Sequence, residues 1–277
     1  MIRTTLVAAM VAAVSFGAQA DLFDKNVTPG VIFGTGVSNG SFTTDTTTSG
    51  LELALRGKLR HNASGAPENT YNSNGDGTYS FAAGQAFGQS AGTAIWSFEW
   101  AVNTNTSGTG SAILDDYTYH LGIDTNSSLG TSYMVFDMIN GLDFTKANRS
   151  CWDHSIGTNS TTNATDTSID CDAADSAGAA AAAAAAVSYG NLLTVNSVAQ
   201  NSWKPSWFIP GFNPAQDGVY NFYLAASDVT GRQVARTDIQ IIVGAGSNQY
   251  VPEPGSLALV GLALGGLAFA RKRKTAK

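Results

Sequence analysis

An all-β fold, an antiparallel β-sandwich, is the class this sequence predicts, on three observations. Apolar residues recur at every second position in several segments, Gly/Asn/Asp clusters separate those segments, and the last two are joined by a short turn. The sandwich is expected over residues 21–250, interrupted at about 150–190 by a disordered or partly helical insertion rich in Ser, Thr and Ala. An N-terminal signal helix (1–20) and a C-terminal tail (251–277) with a transmembrane helix complete the chain.

The elements follow in chain order. Arg3 gives a positive start, Leu6–Ala18 is apolar, and Ala18-Gln19-Ala20 satisfies the A-x-A rule, so residues 1–20 read as a signal peptide cleaved after Ala20. A run of about 13 apolar residues suits such a signal and falls short of the ~20 that a span needs. Leu51, Leu53, Leu55, Gly57 and Leu59 alternate with Glu52, Ala54, Arg56, Lys58 and Arg60, a strand with one polar face; a helix over the same stretch is the competing reading. Trp96, Phe98, Trp100 and Val102 share the apolar face of a second strand, opposite Ser97 and Glu99. Tyr117, Tyr119, Leu121 and Ile123 mark a third, and Tyr133–Met138 a shorter fourth.

The character of the chain then changes. Thr158–Ser168 is almost entirely Ser, Thr and Asn, and Ala179–Ala186 is unbroken alanine, the best intrinsic helix former but marginal in so short a run. A mobile excursion between two groups of strands is expected there. Cys151 and Cys171 are the only cysteines. In an exported chain they are expected to pair, closing a loop of about 20 residues and stabilising the fold by roughly 3 kcal/mol. The alternative, a metal pair with His154, needs further ligands that only the distant His61 and His120 could supply. Strand character returns at Val219–Ala226 and Val234–Val243, which flank Ser227-Asp228-Val229-Thr230-Gly231, a connection suited to a hairpin.

At the C-terminus, Gly255–Ala270 holds no charge and is about 24 Å long as a helix at ~1.5 Å per residue, marginal against a hydrocarbon core of ~30 Å. Arg271, Lys272, Arg273 and Lys274 follow at once, a membrane-stop cluster that belongs on the cytoplasmic side. Before the apolar run, Pro252 and Pro254 lack N–H groups and keep Pro252-Glu253-Pro254 extended, which suits a protease cleft. The three parts in this order resemble the PEP-CTERM sorting tail. That resemblance implies recognition by an exosortase, a membrane-embedded cysteine protease or transpeptidase of Gram-negative bacteria that make extracellular polysaccharide. It covers about 27 residues and implies a sorting route, not an activity. Asp217–Gly244 is also similar to the final strand pair before the tail in uncharacterised β-rich PEP-CTERM proteins.

Composition narrows the function classes. Leaving out Glu253, Arg3 and the five basic residues of the tail, residues 21–250 hold 20 acidic and nine basic groups, a net charge of −11 against −6 for the whole chain. Nucleic-acid binding needs basic patches and is excluded.

Catalytic patterns are sparse. Gly36-Val37-Ser38-Asn39-Gly40 matches G-x-S-x-G, but the residues after it do not read as the helix a nucleophile elbow requires. Asn72–Gly77 has oxygen ligands at alternate positions like half a calcium loop, yet the twelfth position is Ala83 instead of Glu. Glu99, Asp115, Asp116 and Asp124 supply carboxylates of the kind that glycoside hydrolysis pairs, or form an ordinary solvated rim. The three histidines show no metal grouping and read as surface residues. No cofactor and no metal site is expected. Trp203 and Trp207 flank Lys204-Pro205-Ser206, and rings on a rigid loop can stack on a sugar or anchor a partner; packing under the insertion is the other reading.

These features point to a non-enzymatic cell-surface or matrix protein. Its partners would be the export machinery, an exosortase and exopolysaccharide, with the inner membrane held through the C-terminal helix before processing. An extracellular carbohydrate-binding or carbohydrate-degrading module is the alternative.

Overall fold

The computed structural model describes residues 21–34, 36–128 and 130–245. The expected signal peptide with Ala18 and Ala20, the expected sorting motif Pro252–Pro254, the expected span 255–270 and the basic cluster Arg271–Lys274 lie outside the described residues. Two sheets face each other. The first contains β1 (Leu22–Lys25), β2 (Phe42–Thr46), β3 (Glu52–His61), β6 (Trp96–Asn103), β10 (Val198–Trp203) and β9 (Ser155–Gly157) in that spatial order, with β4 (Pro67–Thr70) on the far end of β3. The second runs β5 (Thr78–Phe81), β12 (Gln233–Val243), β11 (Gly218–Ser227), β7 (Thr118–Asp124), β8 (Tyr133–Phe136). Every described pair is antiparallel except β5 with β12, so the expected all-β sandwich is what forms.

The period-two pattern fixes what faces inward. Leu53, Leu55, Gly57 and Leu59 of β3 lie opposite Val102, Trp100, Phe98 and Trp96 of β6, so both apolar sets share the inner face. Across the sandwich Phe98 meets Phe222 of β11 with centroids 4.7 Å apart, and Trp96 meets Tyr220 at 5.5 Å. Gly57 completes the alternation because nothing larger fits: a Cβ there would lie 2.8 Å from both Tyr79 and Phe81 of β5. The hairpin β11–β12 closes where its Gly and Asp residues indicated, with Asp228 O accepting from Gly231 N at 2.8 Å.

One expectation is corrected. The polar face of β3 and β6 is covered, not solvated. Glu52, Arg56, Lys58, Ser97 and Glu99 are all buried. Residues 26–34 and 36–41 fold over Glu52 and Arg56, held by Gln200, whose amide accepts from Ile32 N at 2.9 Å and donates to Gly30 O at 2.7 Å. Val27, Phe42, Ala54 and Ala101 form a small second core beneath that segment.

The insertion at 150–190, expected as disordered or partly helical, takes the partly helical form and packs as folded structure. β9 extends the first sheet, and the Thr/Asn-rich stretch after it is tied down by side chains. Asn159 donates to Asn105 O at 2.7 Å, and Asn163 donates to Gly34 O at 2.7 Å. Two helices follow, α1 (Cys171–Ala177) and α2 (Ala179–Leu193). Asp170 caps α1 by accepting from Ala173 N at 2.9 Å, and Gly178, at φ 108°, breaks one helix from the next. The alanine run is stable here because Ala182, Ala185, Tyr189 and Leu193 fall on one buried face, the last three of them packed in the main core. Cys151 and Cys171 form a disulfide that fastens α1 to the lead into β9.

Candidate functional site

The chemistry-bearing side chains that stand together lie where the disulfide, α1 and the end of β10 meet. After β8 the chain turns at Asp143, whose Oδ1 accepts from Thr145 N at 2.8 Å and from its hydroxyl at 2.6 Å. Asp143 N donates to Ser150 O at 2.7 Å, and Asn148 N donates to Asp175 Oδ1 at 2.8 Å, so residues 143–150 are pinned to α1. This brings Lys146 to the carboxylate of Asp172, with Asp143 Oδ2 4.0 Å from the same ammonium. The disulfide sets Trp152 and Asp153 beside Asp172. From the other side, Pro205–Trp207 makes a single 3₁₀ turn after β10, and Pro205 O accepts from Phe208 N at 3.0 Å.

Together Asp143, Thr145, Lys146, Trp152, Asp153, Asp172, Trp203, Trp207 and Phe208 line a cleft of about 400 Å³. Its base is aromatic: Trp203 lies 5.2 Å from Trp152 and 4.9 Å from Phe208, centroid to centroid. Its rim is charged, with three carboxylates against one ammonium. Burial pushes the Asp143 and Asp153 carboxyls up from the ordinary carboxylate value, because desolvation disfavours the charged form.

Trp203 and Trp207 do not share a role. Trp203 is 2 % exposed and belongs to the core, with Trp100 5.5 Å away, so its expected contact with a glycan is corrected to packing under the insertion. Trp207 is 51 % exposed at the mouth of the cleft, with Lys204 Nζ 5.7 Å from its ring. Asp143, Lys146, Trp152 and Asp172 were not among the candidates read from the sequence. For Trp152 and Asp172 the one signal was adjacency to Cys151 and Cys171, and for Asp143 and Lys146 there was none.

The other candidates are engaged in holding the fold. Ser38 bonds to the Tyr71 hydroxyl at 3.0 Å and is followed by β2, not a helix. Asp76 accepts from Thr78 N at 3.0 Å, as the turn leading into β5. Glu99 sits between Arg56 and Lys58 in the first sheet, while Asp124 in the second accepts from Asn126 N and Ser132 N, so they form no carboxylate pair. His61 and His154 are buried, not at the surface. His154 Nε2–H donates to Met138 O at 2.6 Å and Nδ1 accepts from Asn201 at 3.1 Å, and burial pushes its pKa down to about 3. Among the described residues no group of three or more His, Cys, Asp or Glu is placed to hold a metal ion, and no helix is long and apolar enough to cross a membrane.

The family model of the PEP-CTERM protein-sorting motif matches residues 251–274. No curated protein and no solved structure matches the chain. The chain thus carries, directly after the sandwich, a motif that marks an exported protein for the cell envelope or surface and for processing by an exosortase.

Proposed function

We propose that this chain is a non-enzymatic component of the surface or extracellular matrix of a Gram-negative bacterium, delivered as a folded β-sandwich and working with exopolysaccharide. The observation that carries this reading is the sorting motif at residues 251–274. The order of its parts supports one set of roles. Gly255–Ala270 spans the inner membrane transiently, Arg271–Lys274 hold the cytoplasmic side, and Pro252–Pro254 is presented to the exosortase outside. Support for a non-enzymatic role comes from Ser38, Glu99 and Asp124, which are held in structural hydrogen bonds or ion pairs and not aimed at a common point.

The alternative, a carbohydrate-binding or carbohydrate-degrading module, is favoured by one observation, the half-exposed Trp207 at an aromatic and acidic cleft. The test of the primary reading is the mass of the surface-exposed protein in cells with and without the exosortase. The expected result is a chain ending near Pro254 in the parent and an unprocessed chain reaching Lys277 in the deletion strain. Lys277 intact on the surface form of the parent would overturn it.

A further inference from the structure

We propose that the cleft between Trp207 and the Cys151–Cys171 disulfide is a subsite for one uncharged sugar unit of a polysaccharide. This deepens the exopolysaccharide association proposed above and rests on it. The cleft, at about 400 Å³, is within the range of roughly 300–1,000 Å³ typical of small-molecule sites. Its groups complement a sugar in kind. A pyranose offers an apolar C–H face and a rim of hydroxyls that both donate and accept. Trp207 supplies a flat ring that stays 51 % exposed on a turn stiffened by Pro205. The carboxyl oxygens that Asp143 and Asp153 contribute to the cleft lining accept hydrogen bonds, which suits hydroxyl donors.

A second, independent observation lies at the base. The indole Nε1 of Trp152 is buried with no acceptor in the protein, although Trp152 is 2 % exposed and lines the cleft. A buried donor left unpaired is destabilising, and an acceptor reaching the indole edge would relieve that cost. Charge decides the class of sugar. Three carboxylates face one ammonium, and that ammonium is already paired with Asp172, so a uronate would meet uncompensated like charge. The occupant is therefore a neutral hexose or pentose unit.

The test is affinity electrophoresis of the protein recovered from the surface of the producing cells, through gels containing dextran, galactomannan or xylan, with alginate as the uronate polymer. At least one neutral polymer should retard the protein and alginate should not. Trp207→Ala should weaken the retarding interaction at least tenfold and Asp153→Asn severalfold. Val229→Ser, on the 90 % exposed residue of the β11–β12 turn, should leave it unchanged. Near-UV circular dichroism verifies that the variants are folded. Retardation by alginate alone, no retardation by any neutral polymer, or equal retardation of the parent and Trp207→Ala each overturns the subsite. These outcomes are separable from failure of the sorting reading, which would appear as unprocessed protein whatever the gels show.

Discussion

Glu99 shows at the level of a single residue why part of this structure was hidden. It is fully buried, with Oε2 accepting from Arg56 Nε at 2.7 Å and Oε1 paired with Lys58 at 3.0 Å. The Arg56 guanidinium lies between the rings of Phe42 and Tyr71, 4.0 and 3.7 Å from their centroids, and donates to Gly40 O at 2.5 Å. Such a cluster contributes little net stability when whole, because desolvation offsets attraction, but losing one member strands the opposite charge. Glu99→Ala should therefore cost roughly 3–5 kcal/mol in chemical denaturation, far more than the typical surface substitution. A loss under about 1 kcal/mol would mean that water reaches Arg56 and Lys58. From sequence, Glu52, Arg56, Lys58 and Glu99 look like an ordinary solvated face, since alternation reports which residues differ and not what covers them. The covering segment 26–41 is Gly-rich and aperiodic, so nothing in it announces that it packs on a sheet. Trp152 and Asp172 were hidden in the same way: the cleft is assembled by the disulfide and by a turn from another part of the chain.

At the scale of an element, α2 shows local propensity and tertiary burial acting together. The strands of both sheets were legible because period two survives in the chain where one face is apolar and packs in the main core, as in β6 and β7. The helix was only half legible. Eight alanines carry no amphipathic pattern by themselves, and the face becomes visible only when Tyr189 and Leu193 are counted with Ala182 and Ala185. That face gives a paired prediction. Ala182 is 1 % exposed, so Ala182→Glu forces a carboxylate into a buried site and should cost several kcal/mol, while Ala184→Glu, on the exposed side, should change stability by less than about 0.5 kcal/mol. Thermal denaturation of the two variants is the measurement. Equal stability would mean that α2 does not dock through this face.

Over the whole molecule, buried ionisable groups in different places set one pH response, and their signs differ. Burial pushes the Glu52 carboxyl up to about 7, although its Oε1 accepts from Thr28 N at 2.9 Å, and burial likewise pushes Asp21 up to about 6. Each binds a proton in the folded state that it releases when unfolded at the same pH. Their stabilisation is present below the ordinary carboxylate range and is lost as pH rises through 6 and 7. His154 acts oppositely. Its folded pKa near 3 lies below the unfolded value, so stability falls as pH drops from about 6.5 towards 3. The measured curve is therefore a sum in which no single group is visible, and a difference curve is needed. Glu52→Gln preserves the acceptor for Thr28 N and removes the titration. Between pH 4.5 and 7 the parent should lose about 3 kcal/mol relative to this variant, since one proton over some 2.5 pH units is worth ~1.36 kcal/mol per unit. Urea denaturation of both proteins across that interval gives the two curves. Parallel curves would show that Glu52 titrates at its ordinary value and that segment 26–41 leaves it in contact with water.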